Sequence, residues 1–231
     1  MSRSVIVALD FESEAEALAL VSRLGSDATH YKVGLQLLVE AGPSVVRHLV
    51  DRGKQVFLDL KLHEIPNSVA AGVKAAGRLG ATMVTVHASG GSAVLKSAVA
   101  AAKPFPGLQV LALTVITSLA DHELPEIGLA PSVRAQVERL AKLSATCGCH
   151  GVVASAQEAA FLCSLLPPGS LIVTPGIQLP GAGANDQARL STPQDAALAG
   201  ASHIVVGRGI TASQDPVVAF AAAVSAFRHD A

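Results

Sequence analysis

The segment 56-VFLDLKLHEIPNSV-69 begins as an apolar run and then carries charged side chains. Asp59 and Lys61 are two residues apart, so in a β-strand they lie on the same face. Leu58 and Leu60 then lie on the other face, where they suit packing against a helix. Such a pair of opposite charges at the end of a strand can serve a catalytic or binding site. A structural ion pair at the strand end is the alternative.

Two further charged residues have similar surroundings, since Lys32 lies within 29-THYKVG-34 and Asp10 directly follows 4-SVIVAL-9. If these runs are neighbouring strands, we expect both side chains to converge with Asp59 and Lys61. Burying such charges costs several kcal/mol unless they are well paired, and charge clusters of this kind are concentrated at functional sites. The four residues together therefore favour a catalytic or binding role.

Eight apolar runs alternate with longer, Ala-rich amphipathic segments, and nearly continuous hydrophobicity is typical of parallel strands covered on both faces. The predicted strands are 4–9, 29–34, 55–60, 82–87, 108–115, 151–155, 170–174 and 203–207. The predicted helices are 13–24, 36–52 (interrupted at Gly42-Pro43), 67–79, 91–102, 131–146, 156–166, 193–200 and 215–228. This alternation predicts an α/β fold, a (β/α)8 TIM barrel, as a single catalytic domain over residues 1–231, with a doubly wound open sheet as the alternative.

Polar and glycine residues collect after these strands, at the barrel face that carries active sites. Gly207-Arg208-Gly209 ends the last strand and opens a helix, where backbone N–H groups suit a phosphate and Arg208 can add a bidentate contact. A solvated arginine in an ordinary glycine turn is the alternative. His87 ends the fourth strand, and we interpret it as hydrogen-bonded support for the rim, with a general base or a metal ligand as the alternatives. Long loops at 117–130 and 175–192 are candidate lids.

Composition argues against several function classes. The chain has 231 residues, of which 50% are hydrophobic and 15% charged, with a net charge of -1, so we expect no nucleic-acid partner. No apolar stretch is long enough to span a membrane, and the first apolar run is too short for a signal peptide. Three cysteines without framework spacing predict reduced thiols and a cytoplasmic location. Cys147-Gly-Cys149-His150 lacks a second ligand pair, so we expect no metal.

At this point the sequence resembles the bacterial branch of the orotidine 5'-phosphate decarboxylase family, nearly from end to end. The segment 59-DLKLHEIPNS-68 follows the family pattern Asp-x-Lys-x-x-Asp-Ile-Pro-Asn. Supporting matches are 7-VALD-10, 32-KVG-34, 86-VHASGG-91, 114-TVITS-118, 154-ASAQE-158, 173-VTPGI-177 and 207-GRGI-210.

The resemblance implies a carboxy-lyase that converts orotidine 5'-phosphate to UMP and CO2 in de novo pyrimidine biosynthesis. Lys61 would protonate C6 of the pyrimidine after CO2 leaves, and Asp59 would lie close to the departing carboxylate. Lys32 and the acid after the lysine, here Glu64, complete the charged catalytic network of the family.

The resemblance also implies a set of substrate-binding residues and a partner. These residues are Asp10, Lys32, Thr117, Ser118, Gln178, Gln187, Gly207 and Arg208. The first two bind ribose hydroxyls or hold the network, Thr117 and Ser118 lie near the pyrimidine, and the last three hold the phosphate. Similar proteins are homodimers in which the acid after the lysine reaches into the neighbouring site, and they use no metal or organic cofactor. We therefore expect a homodimer with shared active sites and no cofactor.

Two positions depart from the family pattern. Glu64 stands where the family has Asp, and its side chain is one methylene longer; a shift of about 1 Å in an active site can cost roughly 100-fold in rate. Gln178 stands where many bacterial members carry Arg, so phosphate binding leans more on Arg208. Arg189, near Gln187, is a candidate to replace the arginine that is missing at position 178.

Two other functions compete with decarboxylation of orotidine 5'-phosphate. Sugar-phosphate decarboxylases and aldolases on a similar barrel share the Asp-x-Lys motif but are expected to need Mg²⁺. The continuation Ile65-Pro66-Asn67 argues against them. The third hypothesis is a nucleotide-binding homologue that has lost turnover, which only Glu64 favours.

Overall fold

The structure is a computed structural model that describes residues 3–179 and 190–228. Eight parallel strands form a closed barrel in which each strand pairs with the next along the chain and the last returns to the first. They are β1 (Ser4–Ala8), β2 (His30–Gly34), β3 (Gln55–Leu62), β4 (Met83–His87), β5 (Gln109–Leu113), β6 (Gly151–Val153), β7 (Leu171–Thr174) and β8 (His203–Val206). The pairing of β1 with β8 confirms the predicted barrel over the open-sheet alternative.

Helices follow the strands and cover the outside of the barrel. They are α1 (Glu14–Leu24), α2 (Leu35–Ala41), α3 (Ser44–Asp51), α4 (Pro66–Arg78), α5 (Gly91–Ala102), α6 (Val133–Thr146), α7 (Ala156–Leu165), α8 (Pro193–Leu198), α9 (Arg208–Thr211) and α10 (Pro216–Arg228). The predicted segment 36–52 is two helices because Gly42 takes a left-handed φ of 69° and ends α2 before Pro43. The loop at 117–130 contains one 3₁₀ turn, Leu124–Ile127.

Apolar side chains fill two separate layers, one inside the barrel and one between the sheet and the helices. The inner layer consists of Ile6, Ala8, Phe57, Met83, Leu111, Leu113, Val153, Leu171, Val173 and Val205. Alternate residues of one strand enter different layers, since Val5 and Val7 of β1 belong to the outer cluster. Seven of the strands supply apolar residues to both layers, which explains their continuous hydrophobic runs, whereas β2 supplies Tyr31 and Val33 to the outer layer only.

The end of the barrel at which the strands begin holds a pair of histidines. The rings of His30 and His203, from β2 and β8, lie 6.0 Å apart between centroids. Burial lowers the pKa of His203 to about 4, with a further contribution from His30, and burial also lowers the pKa of His30. Both rings are therefore neutral near pH 7, so this end of the interior adds no charge to the barrel.

None of the helices in the described part of the chain has the length and hydrophobicity needed to cross a membrane.

Close contact between β6 and β7 depends on Gly151. A Cβ atom built on Gly151 would overlap the carbonyl oxygen and the Cβ of Leu171 on β7. Gly151 pairs with Leu171 in the ladder, so the two strands could accept a side chain there only by moving apart.

We predict that Gly151→Ala destabilises the protein by about 1–3 kcal/mol, because overpacking forces backbone shifts. Chemical denaturation followed by circular dichroism measures the free energy of unfolding. Gly107→Ala is the matched control, since a Cβ there meets no atom within 4 Å, and should change stability by less than about 0.5 kcal/mol. Equal stability of the two variants would contradict this account of the β6–β7 contact.

Candidate active site

An ion pair between Asp59 and Lys61 lies at the C-terminal end of β3. Lys61 Nζ donates to Asp59 Oδ2 over 2.8 Å, and the two side chains are 37% and 13% exposed. Leu58 and Leu60 belong to the outer apolar cluster or pack against it, as the strand period predicts. The carboxylate is thus largely shielded from water while the ammonium group faces the mouth of the barrel.

The backbone of β3 departs from a regular strand at this ion pair. Its register with β4 shifts between Leu58 and Leu62, and Lys61 has a left-handed φ of 48°. Among the described residues, Lys61 is the sole non-glycine residue with a positive φ. A left-handed conformation costs roughly 1–2 kcal/mol for such a residue and is found preferentially at functional sites. The irregular backbone therefore supports a functional role for Lys61.

A second ion pair joins β2 to the end of β1. Lys32 Nζ donates to Asp10 Oδ1 over 2.8 Å, with the lysine side chain 12% exposed and the aspartate side chain 52% exposed. Gly34 gives this pair room, since a Cβ there would lie 3.0 Å from Lys32 Nζ and 3.3 Å from Asp10 Oδ1. Because Gly34 also pairs with Asp59 across the β2–β3 ladder, the two ion pairs are neighbours.

Both ion pairs open into one cavity of about 1370 Å³ at the C-terminal mouth of the barrel. Its wall includes most of the residues expected from sequence to bind or transform a substrate. These are Asp10, Lys32, Asp59, Lys61, Thr117, Ser118, Gln178, Gly207 and Arg208. The floor of the cavity is apolar and includes Ala8, Phe57 and Leu113. A cavity with an apolar floor and convergent polar groups is typical of a binding site for a small molecule.

The loops after β7 and β8 contribute the remaining part of the cavity wall. Gln178 is held by its backbone N–H, which donates to the carbonyl of Ser191 over 2.9 Å, so the two ends of the loop are joined. Gly207 directly follows β8, and Arg208 begins the short helix α9, so the sequence prediction of a strand end leading into a helix here is confirmed. Gln187 and Arg189, expected from sequence to hold or support a phosphate, lie outside the described residues.

Glu64 does not line the cavity of its own chain. Its side chain is exposed, and its Oε2 accepts a hydrogen bond from the backbone N–H of Ile65 over 2.8 Å. Ile65 itself is 62% exposed. Glu64 is therefore separate from the other acidic and basic residues of the candidate site in this chain.

Two histidines stack beside the Asp59–Lys61 ion pair. The rings of His63 and His87 lie 4.8 Å apart between centroids at an interplanar angle of 19°. Burial lowers the pKa of His87, and the charges of His63 and Lys61 lower it further. The Nδ1 atom of His87 is also in hydrogen-bond contact with the hydroxyl of Ser89. A neutral His87 at the rim agrees with its interpretation as a hydrogen-bonded support.

The described residues contain no group of three or more His, Cys, Asp or Glu side chains arranged to hold a metal ion. Cys147, Cys149 and Cys163 are free thiols. Burial raises the pKa of the Cys149 thiol to about 12, and the nearby Cys147 adds to this effect.

Sequence reasoning missed Thr85, which the structure places directly against the Asp59–Lys61 pair. Its hydroxyl accepts a hydrogen bond from the backbone N–H of Lys61 over 2.8 Å and donates to Asp59 Oδ1 over 3.0 Å. The only available signal was the strand period, which places Thr85 and Met83 on one face of β4. A buried threonine in a strand is too common to have singled it out.

A closed parallel barrel with two lysine–aspartate pairs at its C-terminal mouth defines a (β/α)8-barrel enzyme. The family model described as "Orotidine 5'-phosphate decarboxylase / HUMPS family" matches residues 3–223. The chain belongs to this family.

Similar proteins of known name agree with this assignment. Orotidine 5'-phosphate decarboxylase of Laribacter hongkongensis is 47% identical over 221 residues, which cover 94% of this chain and 90% of that protein. The enzyme of that name from Halorhodospira halophila is 47% identical over 219 residues, covering 94% and 93%. The crystal structure of orotidine 5'-phosphate decarboxylase from Lactobacillus acidophilus has a TM-score of 0.88 and 38% identity, and the match covers 99% of this chain and 100% of that one. These relatives do not favour the sugar-phosphate or the non-catalytic alternative.

Proposed function

We propose that this protein decarboxylates orotidine 5'-phosphate to UMP and CO2 in pyrimidine biosynthesis. The observation that carries the proposal is the Asp59–Lys61 ion pair, joined over 2.8 Å at the mouth of the barrel. Loss of CO2 leaves negative charge on C6, so the reaction needs a cation there. Lys61 supplies that cation, and Asp59 holds it in place. The names of the relatives at 47% identity support the same substrate.

The proposed reaction breaks the bond between C6 and the carboxylate, and the electron pair of that bond stays on C6. The ammonium group of Lys61 stabilises this carbanion as it forms and then transfers a proton to it, which yields UMP. Asp59 lies beside the departing carboxylate and holds the lysine side chain in position through its Oδ2 atom. Lys61 is regenerated by taking a proton from solvent.

We assign substrate binding to the rest of the cavity wall. The Lys32–Asp10 pair lies next to the reacting pair and suits the ribose hydroxyls, because it offers both donors and acceptors. We assign Thr117 and Ser118, after β5, to the pyrimidine. We assign Gly207 and Arg208, after β8, to the phosphate, because barrels commonly bind one in this region. Binding energy from the phosphate, remote from C6, can then support the reacting geometry.

We also propose a homodimer with shared sites, in which Glu64 reaches into the site of the neighbouring subunit. Exposed apolar side chains lie beyond the C-terminal ends of β2, β3 and β5: Leu35, Val39, Ile65 and Ile116, which are 58%, 79%, 62% and 40% exposed. A second copy that covered this rim would bury them and bring Glu64 near a cavity. Free thiols at all three cysteines support a cytoplasmic location.

Lys61→Ala should lower kcat by at least about 10³-fold, because it removes both the cation and the proton donor. Loss of pyrimidine absorbance measures turnover of orotidine 5'-phosphate, with EDTA present to exclude an Mg²⁺-dependent reaction. Lys142→Ala is the matched control, since Lys142 pairs with Glu138 on the exposed face of α6 and should leave turnover unchanged. A Lys61→Ala enzyme with a near-normal rate would disprove the proposed mechanism.

Arg208→Ala should weaken UMP binding by about 10- to 100-fold, because charge-assisted hydrogen bonds to a phosphate are strong. The shift in melting temperature with UMP concentration reports this affinity. Binding of uridine, which lacks the phosphate, should change little. Arg134→Ala provides the control, since the Arg134 guanidinium lies over the Phe161 ring, 4.3 Å from its centroid, outside the cavity. Equal losses for UMP and uridine would contradict the phosphate assignment.

Glu64→Ala and Lys61→Ala should each be inactive alone and should complement each other when co-expressed. In a mixed dimer, one site receives Lys61 from one chain and Glu64 from the other. Random pairing makes half of the dimers mixed with one intact site each, so roughly a quarter of the wild-type activity should return. If the mixed preparation is as inactive as the parents, Glu64 does not act across the interface.

A further inference from the structure

Thr85 lies fully buried in β4, and its hydroxyl lies between the two members of the Asp59–Lys61 pair. It accepts the backbone N–H of Lys61 over 2.8 Å and donates its own proton to Asp59 Oδ1 over 3.0 Å. The other carboxylate oxygen of Asp59 accepts from Lys61 Nζ. The Thr85 hydroxyl thus forms hydrogen bonds with the backbone of Lys61 and with the Asp59 carboxylate, to which the Lys61 side chain is ion-paired.

The irregular part of β3 explains why such a contact is needed. The β3–β4 ladder pairs Leu58 with Val84 and resumes at Leu62 with Val86. Three residues of β3 therefore face a single residue of β4, Thr85, and regular ladder hydrogen bonds cannot serve all of them. The side chain of Thr85 provides the bond that the backbone of β4 cannot supply to the Lys61 amide.

We propose that Thr85 is a positioning residue for decarboxylation, one that fixes the left-handed backbone of Lys61 and the orientation of the Asp59 carboxylate. The inference rests on the function proposed above. Thr85 does not line the cavity, so it acts through the two residues that it binds. Without the hydroxyl, the carboxylate loses one of its two fixed contacts and the Lys61 amide loses its acceptor. The Lys61–Asp59 ion pair remains, but the ammonium group is less firmly fixed relative to C6.

The effect should fall on the chemical step. In the proposed site, substrate affinity depends mainly on the ribose and phosphate contacts, which lie after β1, on β2 and after β8. Since a displacement of about 1 Å can cost roughly 100-fold in rate, we expect kcat to fall while product binding is retained.

Thr85→Val and Thr85→Ser test this proposal. Valine has nearly the shape of threonine without the hydroxyl, whereas serine keeps the hydroxyl and lacks the methyl group. We expect Thr85→Val to lower kcat by about 10- to 100-fold with UMP affinity changed by less than about 3-fold, and Thr85→Ser to stay within about 3-fold of wild type in kcat. Thr82→Val is the control, because Thr82 immediately precedes β4 at the opposite end of the barrel and its hydroxyl donates to the Val56 carbonyl.

The outcomes separate this inference from the function on which it rests. A wild-type protein that does not turn over orotidine 5'-phosphate overturns the proposed function itself. With an active wild type, a Thr85→Val enzyme of normal kcat overturns the role of Thr85, and so does an equal loss in Thr85→Ser. A parallel loss of kcat and UMP affinity would show general disruption in place of positioning. If Thr85→Val does not fold, Thr85→Ala is the replacement variant. Alanine lacks the hydroxyl and also the γ-methyl group, whose loss Thr85→Ser controls for, and the same kcat loss is expected.

Discussion

The Asp59–Lys61 ion pair can lie at the mouth of an apolar barrel only because its charges are compensated on several sides. A partly buried charge is costly unless a partner of opposite sign and further hydrogen bonds satisfy it. Here the Lys61 ammonium group donates a hydrogen bond to one carboxylate oxygen of Asp59, and the Thr85 hydroxyl donates to the other. The same hydroxyl accepts the backbone N–H of Lys61, so the compensation depends on an irregular strand in which Lys61 has a left-handed φ.

The barrel allows this arrangement because its apolar packing and its charged residues lie at different levels along the barrel axis. The interior below the mouth is filled by apolar side chains, and the end where the strands begin carries two histidines that are neutral near pH 7. Parallel strands point their carboxyl ends to the same rim, so β1, β2 and β3 bring four charged residues together. The strain and the desolvation cost at the rim are offset by the packed layers elsewhere.

The position of Glu64 motivates the proposed sharing of sites between two copies of the chain. Its carboxylate caps the N–H of Ile65 in an exposed turn and stays outside the cavity of its own chain. In the proposed dimer, covering the apolar rim and adding an acid to the neighbouring site are consequences of the same contact. The extra methylene of Glu relative to the usual Asp then lengthens the reach of a residue supplied by the partner.

Strand and helix periods were sufficient to predict the (β/α)8 barrel, because continuous apolar runs and amphipathic segments depend on local side-chain order. The two-residue spacing of Asp59 and Lys61 predicted their shared face, and the ends of the strands predicted that Lys32 and Asp10 would join them. The division of 36–52 into two helices followed from Gly42 and Pro43, whereas the short helix α9 was expected only as a helix start at Arg208.

Contacts between residues distant in sequence were not predictable in this way. The register shift of β3, the left-handed Lys61, the hydroxyl of Thr85 and the stack of His63 on His87 each depend on how neighbouring strands meet. The sequence by itself determined which residues carry charge and which strand ends present them, because those properties are local. Only the tertiary structure decided which atoms hold the ion pair in place, because those contacts depend on the register between β3 and β4, which residues close in sequence do not determine.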